Sequence, residues 1–387
     1  MGLSILNADE NAIRDAARAL VRREVAPHAA HDDAHEIYPR RNMELLGQQG
    51  YLGMIVDPAF GGAGASYLAQ TLVVEALAEA DPATAVVYEV HNSLHIEAIW
   101  RFGTDEQRRR WLPDLCQGKA IGAFALSEAE AGSNAAALIA RARRVNGGYG
   151  LTGRKMFITG GGEADRYLVF ATVNPDLKEG GITAFVVAKD AAGLSFGPPM
   201  DKMGIRAART SEVILDNVFV PESDRLGQEG DGYSMALYLL DGGRIGIAAQ
   251  GLGIMQAALS RSLHYARERH QFGRPIGTFE GVQWRLANMA TDLHAARLMT
   301  YEAARHREEG PAQRPLFAMA KLFSSEHAVR HAEDAIQIFG GYGYMTEFGV
   351  ERLLRDAKIT EIYEGTSEIM RWIIASQLLH DYDLDNI

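Results

Sequence analysis

Ile362-Tyr-Glu-Gly-Thr-Ser-Glu368 is the stretch of the sequence richest in groups that could do chemistry. Glu364 stands between Tyr363 and Gly365, just ahead of an apolar helical run that includes Ile369, Trp372 and Ile373. A carboxylate held on such a turn can act as a general base. Gly365 lets another group approach the backbone closely. Thr366 can cap the following helix, and Glu368 would lie in its first turn, where a negative charge is favoured. Taken alone, a Glu ahead of a helix is more often structural than catalytic. Two histidine pairs, His91 with His95 and His327 with His331, have the i, i+4 spacing that can hold a metal on one helix face. Neither sits in a His-Glu-x-x-His frame and no third ligand is indicated, so both read as surface or hydrogen-bonded histidines and no metal is expected. The single cysteine, Cys116, reads as a small core residue; it rules out a disulfide within the chain and fits a reducing compartment.

Common cofactor and nucleophile motifs are missing. There is no Walker loop and no dinucleotide fingerprint: Gly160-Gly161-Gly162 and Gly340-Gly341-Tyr-Gly343 match neither, which argues against a Rossmann-type enzyme. No Gly-x-Ser-x-Gly elbow appears, which argues against an ordinary serine hydrolase. The 387 residues include 39 Lys and Arg against 50 Asp and Glu, a net charge of −11. Nucleic acid is therefore not an expected partner. The short basic run Arg108-Arg109-Arg110, with Asp105, Glu106 and Asp114 nearby, reads as the solvated face of a helix. Met1–Glu10 has neither a basic n-region nor an apolar h-region, and no uncharged run reaches the length of a membrane span. A cytoplasmic protein without membrane association is expected.

Three textures divide the chain. Residues 1–119 are helical in period, with stripes at Ile13, Ala16, Ala17 and Leu20 and at Ala69, Leu72, Val73, Ala76, Leu77 and Ala80. Asp81-Pro82 ends one helix and starts another, and Thr104-Asp-Glu-Gln is a capped start. Residues 120–227 carry short apolar runs bounded by Gly, Pro, Asn and Asp: Ile121–Leu126, Tyr149–Thr159, Tyr167–Val173, Ile182–Ala188, and Glu212–Leu215 before Asp216-Asn217. They predict a small β-domain. Residues 228–387 return to the helical period, with stripes at Leu286, Met289, Ala290, Leu293 and Ala296 and at Ala328, Ala332, Ala335, Ile336 and Phe339; Gly310-Pro311 separates long helices whose antiparallel packing would give a bundle.

Against this background Ile362-Tyr-Glu-Gly-Thr366 resembles the catalytic signature of the acyl-CoA dehydrogenase family. Other blocks resemble the family in the same order: Phe124-Ala-Leu-Ser-Glu128 with Gly132-Ser133, Lys155-Met-Phe-Ile-Thr159, Lys202-Met-Gly-Ile-Arg206, Gly243–Ala249, Arg267–Gly273 and Gln337–Gly343. Asp241-Gly-Gly-Arg-Ile-Gly-Ile-Ala248 looks closest to the short-chain (butyryl-CoA) branch. The resemblance implies a helical N-terminal domain, a middle β-domain and a C-terminal four-helix bundle. It further implies FAD as cofactor, an acyl-CoA or acyl-carrier thioester as substrate, an electron-transfer flavoprotein as acceptor, and a homotetramer. A related flavin oxidase is the alternative. Glu364 would take the α-proton while flavin N5 takes the β-hydride. Other branches place the base on a bundle helix, at a position that is Gly243 here.

The resemblance assigns further roles. Ser127 and Thr159 would hydrogen-bond the flavin; Phe124, Leu126, Gly132, Ser133, Phe157 and Ile158 would line it. Arg269, Gln271 and Phe272, with Gln337, Ile338, Gly340 and Gly341, would reach the FAD of a neighbouring subunit. Thr366 and Glu368 would lie toward the adenosine. Ser133, Asp241, Gly243, Arg244 and Gly365 would contact the substrate. Two departures stand out. The family loop usually reads Glu-Pro-Gly-x-Gly-Ser-Asp, but here it is Glu128-Ala-Glu-Ala-Gly-Ser-Asn134, without the Pro-Gly turn chemistry. Glu280 stands where relatives often carry a Gln that meets the partner's FAD; either its charge repels the pyrophosphate, or it faces solvent and Gln283 takes its place.

Overall fold

The computed structural model describes residues 5–381; Met1–Ser4 of the N-terminal segment and residues 382–387 of the expected bundle domain lie outside them. The first part of the chain is helical: α1 (Ala8–Glu24), α2 (Ala29–His35), α3 (Arg40–Gln48), α4 (Tyr67–Ala80), α5 (Pro82–Glu89), α6 (Glu97–Phe102) and α7 (Asp105–Cys116). Local chemistry sets the boundaries. Asp81 ends α4 and caps α5, its carboxylate accepting from the Ala83 N–H at 3.2 Å and from the Thr84 hydroxyl at 2.6 Å. Thr104 and Gln107 form a reciprocal capping box on α7. Between α5 and α6 the chain widens into a π-helical stretch, Val90–Ile96, a geometry that adds a residue to the turn and often marks a functional region.

That stretch settles the first histidine pair. His91 and His95 are fully buried, not surface groups. His91 Nδ1 accepts from the Gly122 N–H at 3.0 Å, and His95 Nδ1 lies 3.0 Å from the Ala123 carbonyl. They hold the helices against the first strand of the next domain. Burial pushes both down, His91 to about 3 and His95 to about 4, so both stay neutral. Their spacing marks a packing face, which is why it resembled a ligand pair. His331 is also buried, 3.4 Å from the Asp292 carboxylate. Among the described residues no group of three or more His, Cys, Asp or Glu could hold a metal ion.

The middle of the chain forms β1 (Gly122–Ala125), β2 (Arg141–Val145), β3 (Gly148–Thr159), β4 (Arg166–Thr172), β5 (Ile182–Ala188), β6 (Leu194–Phe196), β7 (Thr210–Pro221) and β8 (Arg225–Leu226). Their order is β6-β7-β3-β2-β4-β5-β8, with β1 parallel to β4 at the side. Asp216-Asn217, which looks like a strand end in sequence, is instead a bulge inside β7. Leu151 pairs with Val218 and Gly153 with Leu215, so β7 carries an extra residue there, and Asn217 takes φ +52°.

The last part holds α8 (Gly232–Glu268), a short hairpin of β9 (His270–Gln271) and β10 (Arg274–Pro275), α9 (Glu280–Arg305), α10 (Arg314–Phe339), α11 (Val350–Lys358) and α12 (Ser367–Asp381). Helices α8, α9, α10 and α12 make the bundle. Met289, Leu293 and Ala296 of α9 and Ala328, Ala332 and Ala335 of α10 are buried in it. Ala16 and Ala290 are exposed; each lies one residue, about 100° of helix, away from its buried stripe. Cys116 is buried in the core that α7 shares with the first domain, and burial pushes its thiol up to about 12. Arg109 and Arg110 are exposed, while Arg108 is half-buried with its guanidinium over Trp100. No helix among the described residues is long and apolar enough to cross a membrane.

Candidate active site

Glu364 sits on the turn between α11 and α12 with φ +52°, a left-handed backbone that costs a non-glycine residue about 1–3 kcal/mol and persists only where its surroundings enforce it. The surroundings do so from both sides. Lys321, in the middle of α10, donates to the Gly365 carbonyl at 2.7 Å. Tyr363 donates its hydroxyl to the Gln250 side chain on α8, and Gln250 in turn donates to the Pro82 carbonyl at 2.8 Å. Thr366 caps α12 by accepting from the Ile369 N–H at 3.3 Å, and Glu368 lies in the first turn.

The carboxylate of Glu364 rests on Gly243. A Cβ at position 243 would overlap its Oε2, so the absence of a side chain on α8 is what leaves room for it. A side chain at position 243 and the Glu364 carboxylate therefore compete for one volume. Burial raises the Glu364 pKa; Glu89 beside it, the Lys321 ammonium and the Arg244 guanidinium oppose that rise. Its Oε2 is buried without a hydrogen-bond partner among the described residues. Asp241 and Arg244 pair at 2.6 Å on the same helix, and Arg314 reaches Asp241 at 2.9 Å. Asp241, Gly243, Arg244, Glu364 and Gly365 are thus brought together. Gly243→Ala should displace the carboxylate and lower kcat by at least about a hundredfold. A variant with kcat within about threefold of wild type would contradict this seat.

A second cluster lies on the β-domain. Lys155 on β3 is buried and bonded to Glu128 at 2.7 Å and to the Leu126 carbonyl at 3.0 Å. Burial lowers Lys155 to about 8, against the pull of the Glu128 carboxylate. The same carboxylate accepts from the Ile139 and Ala140 N–H groups at 2.7 and 3.0 Å, while the Met156 N–H donates to the Ser127 carbonyl at 2.9 Å. These bonds tie the Phe124–Ser127 segment to the Lys155–Thr159 segment. Just beyond, β3 bulges: Lys155 pairs with Val213 and Ile158 with Ser211. The extra residue turns Phe157 outward at φ +61°, leaving it 67% exposed, and turns Ile158 into the core. Of the residues expected to line a flavin, Leu126 and Ile158 are buried, so Ile158 can meet a cofactor only through its backbone, whereas Phe124, Ser127 and Thr159 are partly open. Gly132 and Ser133 are exposed on the loop after β1. That loop keeps its turn without Pro-Gly, because Glu128 and Ala131 exchange two backbone bonds of 3.1 Å.

A third cluster lies on the outer side of the bundle. Arg269 stacks over Tyr342 at 5.3 Å, and Tyr265 stacks on Phe339 at 4.0 Å, which joins the hairpin to the Gln337–Gly341 segment. Ile338 is buried, while Gln337, Gly340 and Gly341 are exposed. Phe272, at the hairpin tip with φ +51°, is 93% exposed. Glu280 is exposed in the first turn of α9, and the Gln283 amide donates to the Gly277 carbonyl at 3.0 Å. The three clusters suit a flavin dinucleotide. Open hydroxyls fit a polar heterocyclic edge, an outward Phe fits its apolar rim, and an outer Arg fits a pyrophosphate.

Sequence reasoning missed Lys321, Gln250 and Glu89. Lys321 in Phe-Ala-Met-Ala-Lys-Leu-Phe and Glu89 in Val-Val-Tyr-Glu-Val are lone charges inside apolar helical runs, and that mismatch was the available signal. A separate surface cavity of about 680 Å3, lined by Arg18, Arg206, Arg352 and Arg355 among others, contains none of the expected site residues.

A three-layered helix–sheet–bundle protein with a buried carboxylate over a helical glycine and an aromatic-and-hydroxyl face on the sheet defines a flavin-dependent oxidoreductase. The N-terminal, middle and C-terminal domain models of acyl-CoA dehydrogenase match residues 7–119, 123–218 and 230–379. An acyl-CoA dehydrogenase of Bacillus subtilis is 44% identical over 367 residues, 95% of this chain and 97% of its own. A solved chain described with the electron transferring flavoprotein of Acidaminococcus fermentans is 40% identical, with a TM-score of 0.96, covering 98% of this chain and 100% of that one. The butyryl-CoA dehydrogenase of Megasphaera elsdenii is 38% identical with a TM-score of 0.94, again covering 98% of this chain and 100% of that one. The chain belongs to the acyl-CoA dehydrogenase family. It is an FAD-dependent enzyme that dehydrogenates acyl-CoA thioesters.

Proposed function

We propose that Glu364 is the base that removes the α-proton of a short acyl-CoA, and that the reaction desaturates the Cα–Cβ bond. The observation that carries this is the Glu364 carboxylate: its Oε2 is buried without a hydrogen-bond partner among the described residues, and a strained turn holds it over Gly243. FAD, when bound, supplies the acceptor for the β-hydride. The protein's own groups do the rest. Glu364 accepts the proton, and its backbone N–H, unused by any hydrogen bond in the turn, is free to hold the thioester oxygen as negative charge develops there. Lys321, by fixing the Gly365 carbonyl, orients the turn. Arg244, held by Asp241, sets the floor beside the reacting carbons.

FAD would be held by Phe124, Ser127, Phe157 and Thr159 on one side and by Thr366 and Glu368 toward the adenosine. Arg269, Gln271, Phe272 and the Gln337–Gly341 segment would serve the FAD of a neighbouring subunit. The outward Phe272 and the 65% exposed Trp284 on α9 support a subunit interface, as the expected homotetramer would need. The Acidaminococcus relative supports an electron-transfer flavoprotein as acceptor. The lone buried Cys116 supports a cytoplasmic location.

The test is the visible spectrum of the purified holoenzyme, titrated without oxygen with saturated acyl-CoA thioesters of different lengths. Bleaching of the flavin band by a short acyl-CoA is expected. A yellow protein that no acyl-CoA bleaches would sink the reading and redirect it to a carrier-protein thioester or to oxygen as acceptor.

A further inference from the structure

Glu364 is not the only carboxylate on this face of α8. Gly243 and Gly246 lie one turn apart, and as Gly243 seats Glu364, so Gly246 seats Glu89: a Cβ at 246 would overlap the Glu89 side chain. Gly242 continues the pattern. A Cβ there would come 2.6 Å from the Tyr67 hydroxyl, 3.0 Å from Arg307 Nε and 3.1 Å from Glu97 Oε2. Three glycines on one helix therefore border a run of polar side chains that starts at the base. All four neighbours are buried: Glu89 is 1% exposed, Tyr67 5%, and Glu97 and Arg307 0%.

These groups are poorly matched to one another. Arg307 donates to Glu97 at 3.1 Å and to the Tyr238 carbonyl at 2.9 Å through one nitrogen, Nη2. Its Nε and Nη1, both oxygens of Glu89, Glu97 Oε2 and the Tyr67 hydroxyl have no partner among the described residues. Each buried polar atom left unpaired costs about 1–3 kcal/mol. An unsubstituted alkyl tail lying along this face would leave all of them unpaired, whereas a group that both donates and accepts would pair several. A full charge on the ligand suits the set less well, because the Arg307 guanidinium already stands 3.1 Å from the Glu97 carboxyl.

We propose that the acyl group of the substrate carries a hydroxyl near its far end, read by Glu89 with Tyr67, Glu97 and Arg307. The proposal rests on acyl-CoA dehydrogenation with Glu364 at the α-carbon and names the substrate class that this site prefers. Glu89 is a specificity-determining residue; its neutral carboxyl, raised well above the ordinary range by burial and by the Glu364 charge, can both donate and accept.

The experiment compares pentanoyl-CoA with 5-hydroxypentanoyl-CoA on the holoenzyme, by anaerobic flavin bleaching and by kcat/KM, in wild type, Glu89→Leu and Glu89→Gln. Wild type should favour the hydroxylated thioester by at least about tenfold, since a site built to hydrogen-bond a substituent discriminates against the analogue lacking it. E89L should bring the ratio to about one or reverse it, through faster turnover of pentanoyl-CoA; E89Q, which keeps the shape and hydrogen-bonding capacity, should retain most of the preference. Equal or better use of pentanoyl-CoA by wild type overturns the proposal and leaves dehydrogenation standing. No bleaching by either thioester overturns both. The wild-type comparison decides the matter even if E89L proves unstable.

Discussion

Glu364→Gln should leave a yellow protein that still binds acyl-CoA but bleaches about 10²–10⁴-fold more slowly, the usual contribution of a positioned general base. The substitution keeps volume and the turn, because the restraints on that turn come from Lys321 at the Gly365 carbonyl and from Tyr363 at Gln250, not from the carboxylate. Binding is read from the spectral shift of the flavin on ligand addition, and chemistry from the rate of bleaching. In wild type the bleaching rate should rise with pH. Glu364 works when ionised, and burial moves its pKa above the ordinary carboxylate value of 4.5, so activity is lost as pH falls through that raised value. Glu89 beside it is raised as well, by burial and by the Glu364 charge. A Glu364→Gln protein that bleaches at the wild-type rate would remove this residue from the mechanism.

Lys155→Met should cost about 3–5 kcal/mol of stability, the penalty for leaving one member of a buried pair without its counterion. Lys155 and Glu128 are 0% and 5% exposed, 2.7 Å apart, and Glu128 also orders the Ile139 and Ala140 N–H groups. Removing the ammonium therefore loosens both strand segments that would face the flavin. Urea unfolding should show a lower midpoint, and FAD should be lost more readily on dialysis. Glu128→Gln should also destabilise, because the Lys155 ammonium loses its counterion and the amide NH2 cannot accept from the Ile139 N–H or from Lys155. Unchanged midpoint and flavin retention in Lys155→Met would show that the pair is not what holds the two segments together.

Glu364 was legible because its neighbours are local. Tyr363, Gly365 and Thr366 shape one turn, and a turn is specified by consecutive residues. The same holds for Asp81-Pro82 and for the Thr104 capping box, where the side chain that caps and the N–H it serves are three residues apart or fewer. Asp216-Asn217 misled for the complementary reason. Whether an Asp-Asn pair ends a strand or bulges within it depends on the partner strand, here Leu151 to Gly153, which lies far away in sequence. The buried His91 and His95 were ambiguous on the same ground, since their spacing describes a helix face but not what covers it.

By itself the sequence determined the three textures, the order of the family blocks, and the identity of the carboxylate on the turn, all of which are written in short-range patterns of period, capping and motif. Tertiary structure alone decided that Gly243 is the seat of Glu364, that Lys321 holds the turn from a helix 44 residues away, and that Glu89 stands next to Glu364 from the first domain. Each of these joins residues distant in the chain through volume and charge. Which buried groups share one space follows from how α4, α5, α8 and α10 pack, and packing is a property of the folded whole.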